Sequence, residues 1–326
     1  MIVLGIESSA HTLGAGIVED GKVLSNEKIM YPIGTAGIIP AKAAEQHASN
    51  AGAVISEALA KAGLSSKELE GVGYTMGPGL GPCLRVGQLM AKTVAARLGI
   101  PIAPVNHALA HIEITRHLAG IEDPVVLYVS GGNSQILGFD EEPFKHYHVY
   151  GETFDIGVGN MLDSFAREAK LNPAWGSSVA KLAEGGKYFM MPYTVKGMDF
   201  TFTGLLTHSI KMLQSRSAKD VAFSMQETAF AMLCEATERA LLLKKKKNVL
   251  LSGGVAQSAR LKEMLSLMAE AHGCKVYTAP NDLNADNGAM IALVAEKMIK
   301  AGQQARIGEC TIDQRYRVDR AMVGWK

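Results

Sequence analysis

His107 and His111 stand four residues apart in Asn106-His107-Ala108-Leu109-Ala110-His111. On an α-helix that spacing puts both imidazoles on one face, within reach of a single metal ion. Glu113 follows the second histidine rather than the first, so the general base of an HExxH peptidase is missing from its place. Further ligands could come from Tyr128, at the end of an apolar run, and from Asp286, two residues before Gly288. Asp286 sits where a helix is expected to begin, so a cap or dipole role suits it as well as ligation. Equally, the two histidines can be read as polar-facing members of an ordinary helix.

A second chemistry is written in the turns. The apolar run 125–130 ends in Gly131-Gly132, and the run 248–251 leads into Ser252-Gly253-Gly254. The first apolar run ends in Glu7-Ser8-Ser9. Glycine lets a backbone approach phosphate closely, and free amides in such turns supply donors. Each Ser-Gly-Gly alone is an ordinary tight turn; their recurrence after equivalent strands favours a nucleotide-binding cleft. Asp163 reads as an exposed helix acid or a partner of Arg167, and the run 244–247 as a solvated helix end with phosphate contact as the minor alternative.

These residues need a scaffold with many strand-to-turn junctions. At 326 residues the chain exceeds what one core holds comfortably, so two domains or lobes are expected. A hydrophobic share of 48% excludes a disordered chain. Thirty-four glycines with only 6% aromatic residues suit an α/β protein. Strands are predicted at 2–6, 14–18 and 22–25, the last two joined by the hairpin signal Asp20-Gly21. A helix follows at 41–62, closed by Gly63, then a strand at 72–75, a glycine-rich loop at 76–82 and a helix at 84–98. A strand at 102–105 runs into Asn106, a good cap for the helix carrying the histidines. Strands at 125–130, 135–139 and 248–251 belong to a second block, and a helix follows the last of them.

A net charge of +1 gives no global field for nucleic acid or membrane, so any nucleic-acid role needs local patches or partners. The four cysteines form no CxxC pair and read as reduced thiols. Neither a signal peptide nor a membrane-spanning run is apparent, so a soluble, intracellular chain is expected.

Seven motifs in order carry a resemblance: GIESSAHT (5–12), GPGLGPCLRVG (77–87), NHALAHIE (106–113), YVSGGNSQI (128–136), VKGMDFTFTGLL (195–206), LSGGVAQSARL (251–261) and DNGAMIA (286–292). Together they resemble the TsaD family in its archaeal or eukaryotic form, the catalytic subunit of the KEOPS complex. The ending at 314–319 is similar to that branch too. The resemblance implies an ASKHA fold, two actin-like lobes with an interlobe nucleotide cleft. The lobes are expected at 1–115 and 116–326, with the C-terminal tail a candidate to pack back on the first. It implies transfer of threonylcarbamoyl from threonylcarbamoyl-AMP to N6 of the adenosine beside the anticodon in tRNA. His107, His111, Tyr128 and Asp286 match the family's ligands for one divalent metal per subunit, with iron and zinc equally suited.

The same resemblance assigns Tyr128, Val129, Ser130, Gly131, Gly132, Asp163 and Gly176 to the adenylate. Ser252, Gly253, Gly254, Gln257, Glu7 and Ser9 complete the substrate and ATP/AMP-type nucleotide set. It implies a small kinase-like ATPase, a dimerising and a regulatory subunit as partners, in the cytoplasm and away from membrane. Helices at 41–62 and 84–98 are candidate docking faces, and Arg306, Arg315, Arg317 and Arg320 a modest basic contribution. The general base is unassigned. Three departures bear on ligand grip: Pro173-Ala174-Trp175-Gly176-Ser177 replaces a Pro-Gly-Gly turn, Ala180 stands for a glutamate, and Gln257 for an asparagine. Nucleotide affinity is therefore expected to be weakened or retuned. The rival readings are an ASKHA-type ATPase and a nucleotide-binding scaffold without transferase activity.

Overall fold

A computed structural model describes residues 1–32 and 37–325. The chain opens with β1 (Ile2–Glu7), β2 (Thr12–Glu19), β3 (Lys22–Met30), α1 (Pro40–Ala62) and β4 (Gly71–Gly77). Next come α2 (Gly81–Leu98), β5 (Ile102–Asn106) and α3 (His107–Ala119). The middle runs β6 (Val125–Val129), β7 (Ser134–Asp140), β8 (His146–Glu152), α4 (Val158–Glu168) and α5 (Gly176–Ala183). A short hairpin, β9 (Val195–Lys196) and β10 (Asp199–Phe200), precedes α6 (Thr203–Met212) and α7 (Ala218–Leu243). The last elements are β11 (Asn248–Ser252), α8 (Ala259–Ala271), β12 (Lys275–Thr278), α9 (Asn281–Asn284) and α10 (Gly288–Lys300).

These elements form two compact units. The first holds Met1–Leu118, Asp140–Tyr147 and Pro280–Lys326, the second Ala119–Phe139 and His148–Ala279. The first sheet has the order β3-β2-β1-β4-β5, and the second, taken from β8, reads β8-β7-β6-β11-β12. In each, the first strand of the block pairs antiparallel with the next and parallel with a later one: β1 with β2 and β4, β6 with β7 and β11. One topology is therefore used twice, and the two Ser-Gly-Gly turns both follow strands of the second sheet, its adjacent parallel pair β6 and β11.

The predicted elements form, with local chemistry setting their ends. The β2–β3 hairpin turns on Asp20 and Gly21, both at positive φ (48° and 81°), as a two-residue turn of this hand requires. Gly63 and Gly99 end α1 and α2 in the left-handed conformation at φ 70°. Helix α2 starts at Gly81 rather than at residue 84, because Pro82 fits the first helical turn, where no amide partner is needed.

A trench of glycines seats α10. Gly16, Gly5 and Gly73 are register partners across β2, β1 and β4. A Cβ on Gly16 would lie 2.2 Å from Ala289 N, one on Gly5 2.1 Å from Ala292 N, and one on Gly73 2.3 Å from Ala295 Cβ. Facing them, a Cβ on Gly288 would lie 2.2 Å from Gly16 N. Helix backbone thus touches sheet backbone, and this contact positions everything attached to the start of α10. The second unit is cored differently, by Phe165, Phe200, Phe202 and Phe230 around the buried face of α7. All four cysteines are free and buried.

Candidate metal centre and nucleotide-binding turns

Helix α3 begins directly where β5 ends. Asn106 caps it, its Oδ1 accepting from Leu109 N at 3.0 Å while its Nδ2 donates to Tyr316 O at 2.9 Å. His107 and His111, one turn apart, meet edge to face with ring centroids 4.7 Å apart. Opposite them the chain turns from α9 into α10. Here Asn287 is the cap, accepting from Met290 N at 2.9 Å and donating to Leu283 O and Ala285 O. That frees Asp286 from capping. Its Oδ1 lies 3.2 Å from His111 Nε2 and 3.5 Å from His107 Nε2. The ligand atoms of the three residues all fall within 4.8 Å of one another.

Glu7 supports the cluster from behind. Its carboxylate is fully buried and takes His107 Nδ1 at 3.0 Å, Thr75 Oγ1 at 2.6 Å and Ser9 N at 2.6 Å. An ionised carboxylate only accepts, so His107 carries a proton on Nδ1 and presents Nε2 to the cluster. Two imidazole nitrogens and a carboxylate oxygen converging on one point, one imidazole oriented by a second carboxylate, fit a divalent metal of the iron or zinc kind.

Without metal, this surplus of carboxylate shows in the imidazoles. Burial by itself pushes His107 down, but the Glu7 carboxylate beside it, helped by Asp286, pulls it up to about 9. Burial pushes His111 down. The raised His107 adds stability below its unfolded value of 6.5 and loses it as pH climbs through about 9. In chelator-treated protein the melting temperature is therefore expected to fall between pH 6.5 and 9, and His107→Gln to flatten that slope. Equal slopes in wild type and variant contradict the assignment.

The second unit holds the glycine turns. β6 and β11 run parallel with Tyr128 opposite Ser252, so both Ser-Gly-Gly turns leave the same ends of adjacent strands. Gly253 sits at φ 98°, and a Cβ there would lie 2.4 Å from Val129 O. The Ser130–Gly132 turn is braced by Ser130 N to Asn133 O at 2.8 Å and receives the N-terminus of α4, whose Asn160 N donates to Gly131 O at 2.9 Å. Asp163 on α4 accepts from Gly176 N at 2.8 Å, at the first residue of α5. Arg167 instead donates to Ser164 Oγ. Gln257 folds its amide onto Gly254 O at 3.2 Å. Trp175, half-buried, precedes α5 at its cap position, and Ala180 lies on that helix.

The structure thus brings together His107, His111 and Asp286 with Glu7 and Ser9 in the first unit. In the second it gathers Tyr128, Val129, Ser130, Gly131 and Gly132 with Ser252, Gly253 and Gly254, and pairs Asp163 with Gly176. Tyr128 is 1% exposed and belongs to the second unit. Of the lysines at 244–247, Lys244 lies over the Tyr150 ring at 4.4 Å and Lys246 pairs with Asp123. Sequence reasoning missed Thr75, which holds Glu7, Asn287, which releases Asp286, and Gly157, whose absent side chain leaves room for Gly131 O at 2.4 Å. An Asp-Asn-Gly run before an apolar helix offers two candidate caps, and only the fold decides between them.

A family model described as TsaD, tRNA N6-adenosine threonylcarbamoyltransferase, matches residues 20–293. A tRNA N6-adenosine threonylcarbamoyltransferase of Thermococcus sibiricus is 47% identical over 328 residues, covering 100% of both chains. A probable bifunctional tRNA threonylcarbamoyladenosine biosynthesis protein of Thermoplasma acidophilum is 44% identical across 100% of this chain, which spans 61% of that longer one. Among solved structures, (R)-2-hydroxyglutaryl-CoA dehydratase component A of Acidaminococcus fermentans superposes with a TM-score of 0.58 at 16% identity, covering 92% of this chain and 99% of that one. At that identity the likeness is one of fold, an α/β protein of the ASKHA type.

Proposed function

The chain belongs to the TsaD family, and we propose that it moves a threonylcarbamoyl group from threonylcarbamoyl-AMP onto N6 of the adenosine 3′-adjacent to the anticodon in tRNA. The bond from the carbamoyl carbon to the phosphate oxygen breaks, a bond to N6 forms, N6 gives up one proton and AMP leaves. The observation that carries this reading is the convergence of His107, His111 and Asp286 within 4.8 Å, with Glu7 orienting His107. A divalent metal bound there, iron or zinc, supplies Lewis-acid stabilisation of charge developing on the transferred carbonyl. His107 and His111 present Nε2 to it, Asp286 a carboxylate oxygen, and Tyr128 is proposed as a further ligand. Glu7 keeps His107 in the one tautomer that can ligate.

The amides of Ser130–Gly132 and Ser252–Gly254 hold the AMP moiety, which is also the leaving group. Asp163, set in place by Gly176 N, accepts from a ribose hydroxyl. The net charge of +1 supports tRNA affinity shared with partner subunits, a kinase-like ATPase, a dimerising and a regulatory subunit among them. The bifunctional relative carries further chain beyond the part matched here, which supports a separate partner in the same tRNA modification. Cytoplasmic residence is part of the proposal; no helix among the described residues is long and apolar enough to cross a membrane.

The test is to incubate unmodified tRNA with this protein, those partner subunits and threonylcarbamoyl-AMP, then digest it and weigh its nucleosides. Threonylcarbamoyladenosine is expected; its absence, with nucleotide still bound, favours the scaffold or ATPase reading. The large ring at Trp175, beside the Asp163–Gly176 contact, is expected to weaken adenylate binding. Trp175→Gly with Ala180→Glu is therefore expected to tighten it severalfold by calorimetry, and an unchanged affinity removes that claim.

A further inference from the structure

Two residues past His111, Glu113 is fully buried yet ionised-partner rich. Its Oε1 accepts from Arg116 Nε at 2.8 Å and the Tyr147 hydroxyl at 2.8 Å. Its Oε2 accepts from Arg116 Nη2 at 2.9 Å, Lys297 Nζ at 2.9 Å and Trp325 Nε1 at 3.0 Å. A carboxylate removed from water is stable only when donors surround it, and these donors come from separate pieces of chain. Lys297 is the informative one. It lies on α10, the helix whose start carries Asp286, while Glu113 lies on α3 with His107 and His111.

We infer that the Glu113–Lys297 pair is a positioning device for the metal cluster, pinning α3 to α10 so that His111 and Asp286 stay within ligating distance of one another. The first turn of α3 has its own anchors, the Asn106 cap and Glu7 on His107. The pair anchors the next turn. On the α10 side, the glycine trench fixes the helix against the sheet. Lys297 is nine residues beyond Gly288, about 14 Å along the axis at 1.5 Å per residue. A pin that far along ties the part of α3 beyond its first-turn anchors to a helix that the trench already holds along Ala289, Ala292 and Ala295. Groups bonded directly to metal ligands typically account for about 10- to 100-fold in affinity; this pair acts one step further out, so the lower end of that range is expected.

This inference rests on the metal reading above, and its test separates the two. The metal-free full-length protein is titrated with Co2+ alone, read by its visible d–d absorption, beside Lys297→Met and Trp325→Phe. Both variants remove one donor from the same Glu113 oxygen and leave Arg116 to neutralise it, so both are expected to fold, as thermal melting verifies. Lys297→Met is expected to bind Co2+ about tenfold more weakly with an altered absorption band. Trp325→Phe, which cuts the tail but not the link between the helices, is expected to match wild type within about twofold. Equal affinity in Lys297→Met and wild type, or an equal loss in both variants, overturns the positioning role while the metal reading stands. No Co2+ binding by wild type overturns the metal reading and this inference with it.

Discussion

Replacing His111 by alanine is expected to lower threonylcarbamoyl transfer by at least about a hundredfold, or about 2.7 kcal/mol of transition-state stabilisation. The effect comes from the cluster rather than from the side chain alone. His111 is fully buried, and its Nε2 is 3.2 Å from the Asp286 carboxylate. Truncation removes one of three converging ligand atoms and also leaves the half-buried Asp286 with one imidazole fewer. Residues that only support ligands typically account for 10- to 100-fold, so loss of a ligand is expected to exceed that. Metal content, measured on the purified variant, should fall together with the transfer rate. A His111→Ala protein that keeps transfer within about threefold of wild type removes the cluster from the mechanism.

The largest structural effect is expected at Gly16. A methyl group there would have to occupy space 2.2 Å from Ala289 N and 2.6 Å from both Ala289 Cα and Gly288 C. Overpacking a core commonly costs about 1–3 kcal/mol when side chains can shift. Here the obstacle is helix backbone, and α10 cannot retreat without leaving Gly5 and Gly73 as well. Gly16→Ala is expected to lose more than about 3 kcal/mol by denaturant unfolding, or to fail to fold. Where it folds, Asp286 moves with the start of α10 and metal affinity falls too. A loss below about 1 kcal/mol would show that the trench is wider than the contacts imply.

Much of this fold was legible because local chemistry and global packing agree in it. The Asp20-Gly21 hairpin, the glycine ends of α1 and α2 and the Asn106 cap each have a short-range cause, and each formed as read. The repeated strand-and-turn pattern was visible, and it falls on two adjacent parallel strands of one sheet, β6 and β11. What escaped reading was long-range. Gly5, Gly16 and Gly73 look like unrelated glycines until strand register lines them up. Glu113 looked informative only for its place relative to the histidines, because Lys297, Tyr147 and Trp325 reach it from distant parts of the chain. The partners of the Glu7 carboxylate, His107, Thr75 and Ser9, were likewise out of reach of the sequence. At Asp286 the cap turned out to be its neighbour Asn287, whose side chain accepts from Met290 N.

The measurement that bears most directly on the whole account is threonylcarbamoyl transfer to tRNA by chelator-stripped protein, before and after Zn2+ or Fe2+ is returned. Stripping is expected to abolish transfer, one of the two ions to restore it, and neither to restore the His107→Ala, His111→Ala double variant. Transfer that continues undiminished in the stripped protein would contradict it.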